Sequence, residues 1–387
     1  MTAELLEVAA AAVASPVAAA CAYLAALAAL SGRLPAPRGV DSLRFDVIVP
    51  AHDEEANVAA TVASLLAMDY PREAFRVVVI ADNCSDQTAA RARAAGAHVI
   101  ERFDASRRGK GFALACAFAA TLARGKADAV AVVDADTRVS RNLLRAMAAR
   151  LAAGEVAVQA EYGVLNPDAS WRTQLMVLAM SLFHTLRSRA RERLGLSCGL
   201  RGNGMAIACA ALRDVPYAAF SVVEDVEYGV RLAEAGHRVA YAGEAVVHGE
   251  MPSSAPAAGT QRRRWERGRR ALTRMAPKLL ARGIAERSAM LLDVGVDLLV
   301  PPLSRLAGLA VVGLAVSAWL GLGAALALCA LSAACIAVYV ARGAQIAGLG
   351  FGAARVLAWA PAYVAWKLTL PSRAPSAWVR TSREKNQ

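Results

Sequence analysis

The stretch "VVDADTRVSRNLL", Val132 to Leu144, places Asp134 and Asp136 one residue apart, directly behind the small apolar run "AVAVV" that begins at Ala129. An ionised carboxylate is costly to bury unless a cation or hydrogen-bond donors compensate it. The pair therefore lies in a solvated turn or holds a metal. Two further runs have the same form, "FDVIVP" (45–50) and "FRVVVIAD" (75–82). Between the runs lie helical patterns such as "EEANVAATVASLLAMD" (54–69) and "DQTAARARAAGA" (86–97). Strands alternating with helices predict an α/β fold, a mostly parallel mixed sheet with helices on both faces. Ligands in such sheets sit beyond the carboxyl ends of the strands. Asp53, Asp82, Asp134 and Asp136 all fall at or just past such ends.

Composition points to a membrane. Of 387 residues 57% are hydrophobic, and the mean hydropathy is +0.37, above the range usual for soluble domains. Residues 1–31 contain an apolar run from Leu5 to Leu30, long enough for a transmembrane helix. No Lys or Arg precedes it, which disfavours a cleaved signal peptide, whereas Arg33, Arg38 and Arg44 follow. The positive-inside rule then puts the next domain, residues 45–255, in the cytosol, with the chain in a bacterial-type inner or plasma membrane. Residues 256–290 read as interfacial amphipathic helices: from Gln261 to Arg287 ten basic residues face only Glu266 and Glu286. Residues 291–370 read as transmembrane or re-entrant helices. Leu306 to Ala341 carries no charge and has Gly321 and Gly323 near its middle, the pattern of a helical hairpin. Asp293 and Asp297 make Ala289 to Pro302 a weaker spanning candidate than Ile346 to Leu370. The Arg-rich tail, 371–387, is expected in the cytosol.

The net charge of +12 suits anionic lipid and phosphates. The chain has neither zinc-finger spacing nor an aromatic RNA-binding signature, so nucleic acid is not expected. The seven cysteines form no C-x-x-C pair and read as reduced packing residues, Cys198 included.

Several segments carry chemistry. Asp-x-Asp at 134–136 offers hard oxygen ligands for Mg²⁺ or Mn²⁺, although the pattern is also common in turns. "SRRGKGFAL" (106–114) sets Lys110 between Gly109 and Gly111, able to approach a phosphate or to form an exposed basic turn. "LRGNGMAI" (200–207) puts Gly202 and Asn203 in a tight loop. "VVEDVEYG" (222–229) carries Glu224 and Asp225, placed to accept a proton from an attacking hydroxyl or simply to charge a helix N-terminus. "QRRRW" (261–265) combines the Gln261 amide, guanidinium groups including Arg264, and the Trp265 indole: donors for a diphosphate and a face for a sugar or pyrimidine.

Taken in order, "VIVPAHDEE" (47–55), "ADNCSDQT" (81–88), "DAD" (134–136), "ED" (224–225) and "QRRRW" resemble the family-2 glycosyltransferases, in particular the membrane-embedded branch related to cellulose, chitin and hyaluronan synthases. The resemblance covers about residues 45 to 305. It implies a GT-A-type nucleotide-sugar domain flanked by transmembrane helices. By it, Ala51, Asp53, Glu55 and Asp82 would cradle a uridine, Asp134 would contact the nucleotide and Asp136 would bind Mg²⁺ or Mn²⁺. Asp225, with Glu224 beside it, would be the general base, and Gln261, Arg264 and Trp265 would hold the diphosphate and the acceptor end. Lys110, Gly202 and Asn203 are expected on the nucleotide-sugar. The implied reaction is inverting transfer from a UDP-sugar to a hydroxyl of a saccharide acceptor, in polysaccharide or envelope-glycan synthesis; a lipid acceptor is the alternative. Membrane lipids are expected partners, and a homo-oligomer or other envelope-glycan proteins are compatible with the pattern. Val223-Glu224-Asp225 stands where many members have "TED", His52-Asp53 departs from the usual "PxYNE", and no gating-loop motif is evident, which puts processive polymerisation in doubt. A non-catalytic membrane scaffold or transporter on the same fold is the reading from another class.

Overall fold

The structure is a computed structural model that describes residues 2–368; the basic tail at 371–387 lies outside the described residues. Among the described residues, eight strands build one mixed sheet: β1 Phe45–Ala51, β2 Phe75–Asp82, β3 His98–Arg102, β4 Ala129–Val132, β5 Thr137–Val139, β6 Ala157–Val164, β7 Met205–Ala208 and β8 Val239–Gly249. Their order across the sheet is β3-β2-β1-β4-β7-β6-β8-β5. β1 pairs in parallel with both β2 and β4, and β2 with β3. β7 enters antiparallel beside β4 and β6, β8 runs parallel to β6, and β5 closes the edge antiparallel to β8.

The strand sequences are apolar throughout because both faces are covered. Successive side chains alternate between faces. Val47, Val49, Val77 and Val79 pack with Val62, Leu65, Leu144 and Met147 on one side. Ile48, Val78, Ile80 and Val132 pack with Leu114, Phe118, Leu212 and Tyr228 on the other. Since β1, β2 and β4 are parallel, their carboxyl ends share one rim, where the chain leaves at Ala51, Asp82 and Val132.

Among the described residues, three helices are long and apolar enough to cross a membrane: Glu4–Leu30, Leu303–Leu320 and Gly323–Ile346. The last two form the hairpin, turning at Gly321, whose φ of +70° is left-handed and natural to glycine. Ala289–Leu299 is a separate shorter helix, and Ile346 onward continues as two short helices, Gly352–Ala358 and Ala360–Leu368. Cys21, Leu24 and Leu27 of the first long helix pack with Leu306, Tyr339, Leu182 and Leu186. Leu182 and Leu186 belong to the π-helical segment Ser181–Leu186, which interrupts a helical run from Trp171 to Arg193. Gly343 permits the contact: a Cβ there would stand 2.2 Å from the Leu182 side chain, and its carbonyl accepts the Ser181 hydroxyl at 2.7 Å.

Candidate active site

The rim is built from loops that follow strands. After β1 the backbone turns sharply, Asp53 taking a left-handed φ of 54°, and Asn83 does the same after β2 at 52°. The two loops are stitched to each other. Asp53 Oδ1 accepts the Ser85 amide at 2.7 Å, Asp86 Oδ2 accepts the Glu55 amide at 3.1 Å, and Glu55 Oε2 accepts the Gln87 amide at 3.1 Å. The Ala51 carbonyl accepts the Cys84 thiol at 3.5 Å. Asp82 is buried at the end of β2 and is neutralised by Arg102 from β3, 2.5 Å away, while Asn83 donates to the same oxygen at 3.0 Å. Asp53, Asp82 and Glu55 therefore shape one continuous double loop.

A second group gathers on the same rim around Lys110. Its ammonium stands 2.5 Å from Asp134 Oδ1, 2.6 Å from the Gly202 carbonyl and 3.9 Å from Glu224 Oε1. A Cβ on Gly202 would lie 3.2 Å from Asp225 Oδ2 and 3.3 Å from Lys110 Nζ. Five of the sequence-predicted residues thus meet: Lys110, Asp134, Gly202, Glu224 and Asp225. Asn203 is fully buried below them. Its Oδ1 accepts the Asp134 amide at 3.1 Å and its Nδ2 donates to Thr137 Oγ1 at 2.9 Å. Local structure explains each placement. Lys110 opens the helix Lys110–Arg124 after Gly109, whose φ of 127° no other residue adopts easily. Glu224 and Asp225 open the helix Glu224–Glu234, where the dipole favours carboxylates.

The electrostatics follow from crowding. Burial, then the neighbouring Asp225 charge, push the Glu224 carboxyl up to about 7 in spite of Lys110. Burial likewise raises Asp225, opposed by Lys110. Burial alone would pull the Lys110 ammonium down, yet Asp134, Glu224 and Asp225 together hold it above the ordinary lysine value. The result is a pair of carboxyls with raised proton affinity beside a fixed cation. Cys198, by contrast, is fully buried and its thiol is pushed up to about 12, so it packs and does not react.

Two sets of residues bear on a metal. Asp136 is 7% exposed just beyond β4, its Oδ1 3.4 Å from the Thr137 hydroxyl; with Asp134 it offers the hard oxygens that Mg²⁺ and Mn²⁺ prefer. Asp53, Cys84 and Asp86 also bring ligand atoms within 4.8 Å of one another. Burial raises the Cys84 thiol, however, and the two carboxylates already accept loop hydrogen bonds, so this trio joins the loops. A neutral thiol is a poor ligand for a hard cation.

Gln261 and Trp265 stand elsewhere. They line a crevice with Arg172, Met251, Tyr363 and Trp366. Arg262 lies over the Tyr363 ring at 5.4 Å, and Lys367 reaches Glu266 at 2.6 Å. Their helix, Ala255–Leu272, packs on the segment that leads into the Lys110 group: a Cβ on Gly268 would fall 2.4 Å from Val223, the residue before Glu224. Arg264 is half-buried on that helix. Sequence reasoning missed Arg102, the partner of Asp82, and Gln159, a buried amide on β6. Gln159 donates to the Asn203 carbonyl at 2.8 Å and accepts the Arg201 amide at 2.8 Å. Neither lies in a recognisable motif, and only the pairing of distant strands brings them in.

Residues 43–268 match the family described as "Glycosyltransferase like family 2". The chain belongs to the family-2 glycosyltransferases and is a transferase. It is 28% identical over 229 residues to the beta-monoglucosyldiacylglycerol synthase of Synechocystis sp., covering 57% of this chain and 47% of that protein. It is 23% identical over 234 residues to the probable glycosyltransferase YdaM of Bacillus subtilis, covering 58% of this chain and 55% of the relative. The chain thus spans about half the length of the curated relatives it matches. The mannosyltransferase PcManGT from Pyrobaculum calidifontis, solved with GDP-Man and Mn²⁺, shares the fold at a TM-score of 0.55 and 19% identity, over 84% of this chain and 98% of that one.

Proposed function

We propose that the protein transfers a sugar from a UDP-sugar to a hydroxyl of a membrane-presented acceptor, with inversion at the sugar carbon. The observation that carries this reading is the single Lys110 ammonium shared by Asp134, the Gly202 carbonyl and Glu224, with Asp225 beside it. Asp225 takes the proton from the acceptor hydroxyl as its oxygen attacks the anomeric carbon, and the bond to the UDP oxygen breaks. Lys110 stays charged throughout and offsets negative charge at the leaving side. The double loop of Ala51, Asp53, Glu55 and Asp82 holds the nucleoside. Asp136, with Asp134 beside it, would hold Mg²⁺ or Mn²⁺, which when bound supplies charge neutralisation for a diphosphate. The Gln261, Arg264 and Trp265 helix borders the acceptor side.

A lipid acceptor is favoured over a growing polysaccharide. Among the described residues, two membrane-length helices follow the catalytic domain, thin for a polymer conduit, and a relative is named for a glucosyl-diacylglycerol product. The domain would then face the cytosol at the membrane surface. Membranes holding the protein, given UDP-glucose, UDP-galactose or UDP-N-acetylglucosamine separately with Mn²⁺ or Mg²⁺, should release UDP with one donor and label a lipid-extractable product. Absence of UDP release with every donor would overturn the proposal, and a ladder of product lengths would return the acceptor to a polysaccharide.

A further inference from the structure

Four arginines meet where the long apolar helices join the catalytic domain. Arg187 and Arg191 lie on the helix Arg187–Arg193, Arg269 lies on Ala255–Leu272, and Arg201 immediately precedes Gly202 of the Lys110 group. The Phe183 ring gathers three of them, with the guanidinium carbons of Arg187, Arg201 and Arg269 at 4.8, 5.0 and 5.2 Å from its centroid. The counter-charges are unevenly shared. Arg187 pairs with Asp297 at 2.8 Å, and Arg191 pairs with Asp293 at 2.7 Å and Asp297 at 3.0 Å. Among the described residues, Arg201 and Arg269 have no carboxylate at ion-pair distance. Arg201 donates to the Cys198 carbonyl at 2.9 Å, and Arg269 to the Asp297 and Val300 carbonyls at 2.7 and 3.2 Å. The Nε of Arg201 is buried with no hydrogen-bond partner.

Charges taken out of water are ordinarily paired. An aromatic face softens a cation's desolvation without neutralising it. Arg201 and Arg269 both keep part of their surface exposed, unlike the buried Arg187 and Arg191. A phosphate fits the two-pronged guanidinium donor geometry. The surroundings supply the rest of the ligand. Arg191 donates at 2.7 Å to the hydroxyl of Tyr23, near the end of the long helix Thr2–Leu30. Arg187 donates at 2.9 Å to that of Tyr339, near the end of Gly323–Ile346. The group thus sits about two turns inside the ends of helices long and apolar enough to cross a bilayer, within reach of the region where anionic headgroups would lie.

We infer that Arg201 and Arg269, backed by Phe183, form a binding site for the phosphate group of a membrane lipid. The inference goes beyond the transfer reading and does not require it, although Arg201 and Gly202 would join this site directly to the carboxylates proposed to act on the acceptor.

The test uses the full chain, purified in a neutral detergent, with calorimetric titration of short-chain phosphatidate, the matching neutral diacylglycerol and inorganic phosphate. Saturable phosphatidate binding is expected, tighter than inorganic phosphate by at least about tenfold, with none for the neutral lipid. R201Q and R269Q should each weaken phosphatidate binding roughly tenfold, the loss of one charge-assisted paired contact, whereas R270Q on the exposed side of the same helix should not. Thermal unfolding checks that each variant is folded; R201K and R269K, which keep the charge and lose the fork, serve where a glutamine variant is not. Equal binding of phosphatidate and the neutral lipid, or equal weakening by R270Q, would overturn the site. Inorganic phosphate binding as tightly as phosphatidate would overturn the lipid assignment. UDP release by a protein that binds no phosphatidate would overturn this inference alone; phosphatidate binding without UDP release from any donor would leave it standing and overturn the transfer reading.

Discussion

Lys110 Nζ stands 2.5 Å from Asp134 Oδ1, so the first residue of one helix is tied to the segment that leaves the central strand β4. The same ammonium reaches Glu224 at 3.9 Å, across to a third element. One cation therefore fixes the spacing of carboxylates that would otherwise repel one another.

Replacing Lys110 by Met removes that cation and leaves Asp134, Glu224 and Asp225 facing each other. The side chain is 22% exposed, so the loss of stability should be about 2–3 kcal/mol, below that of a fully buried pair. Transfer should fall at least about 100-fold. Thermal unfolding and UDP release measured on the same preparation check both.

Asp225→Asn keeps the shape of the site and removes the proposed proton acceptor. Transfer should fall by roughly 10²–10⁴-fold, while UDP binding by calorimetry stays within about twofold of the parent, a change of only ~0.4 kcal/mol. Near-normal turnover would remove Asp225 from the role of base.

Glu224, pushed up to about 7, sets the pH response. Between the ordinary glutamate range and about 7 the folded protein holds a proton that the unfolded chain has released. Stability therefore falls as pH rises through that window and is flat above it. The transfer rate should move oppositely, rising through the same window as the Glu224–Asp225 pair ionises and levelling beyond it. In E224Q the step near 7 should be gone from both the unfolding and the rate profiles.

Gly202→Ala separates strain from contact. Gly202 has a φ of +74°, and its new Cβ would meet Asp225 and Lys110 at 3.2 and 3.3 Å. Gly236, at φ +84° with nothing within 4 Å, provides the comparison. Both alanine variants should lose about 1–2 kcal/mol of stability to left-handed strain. Only Gly202→Ala should also depress transfer, by about tenfold or more, equivalent to at least ~1.4 kcal/mol in the barrier.

Asp136→Ala tests the proposed cation. UDP release from the parent should rise with added Mn²⁺ and be abolished by a chelator, whereas the variant should show little response to either, as a lost hard-oxygen ligand predicts. An unchanged Mn²⁺ titration in the variant would remove Asp136 from that role.

The parts of the fold legible in the sequence are those with short-range signatures. The β-branched runs at Phe45, Phe75 and Ala129 are strands, and the rule that parallel strands end on one rim led from them to Asp53, Asp82 and Asp134. Lys110, Gly202 and Glu224 were visible as motifs, and the structure supplies their contact. What stayed hidden depends on pairing across long separations. β7 enters antiparallel between β4 and β6, and nothing in "MAIA" announces its direction. Arg102 is one arginine in an arginine-rich chain until β3 aligns it with Asp82. In the sequence Asp293 and Asp297 read only as charges that weaken a membrane segment; their partners, Arg187 and Arg191, lie over a hundred positions earlier in an ordinary-looking helix.

The tight seam at Gly343 and Leu182 has a bearing on selectivity. Because a catalytic-domain helix is keyed into a long apolar helix with no room for even a methyl group, the height of the reactive rim is tied to that of the long helix. With those helices in a bilayer, candidate acceptors would be sorted by how far their nucleophilic oxygen protrudes, much as a fixed gauge passes one height and rejects the rest.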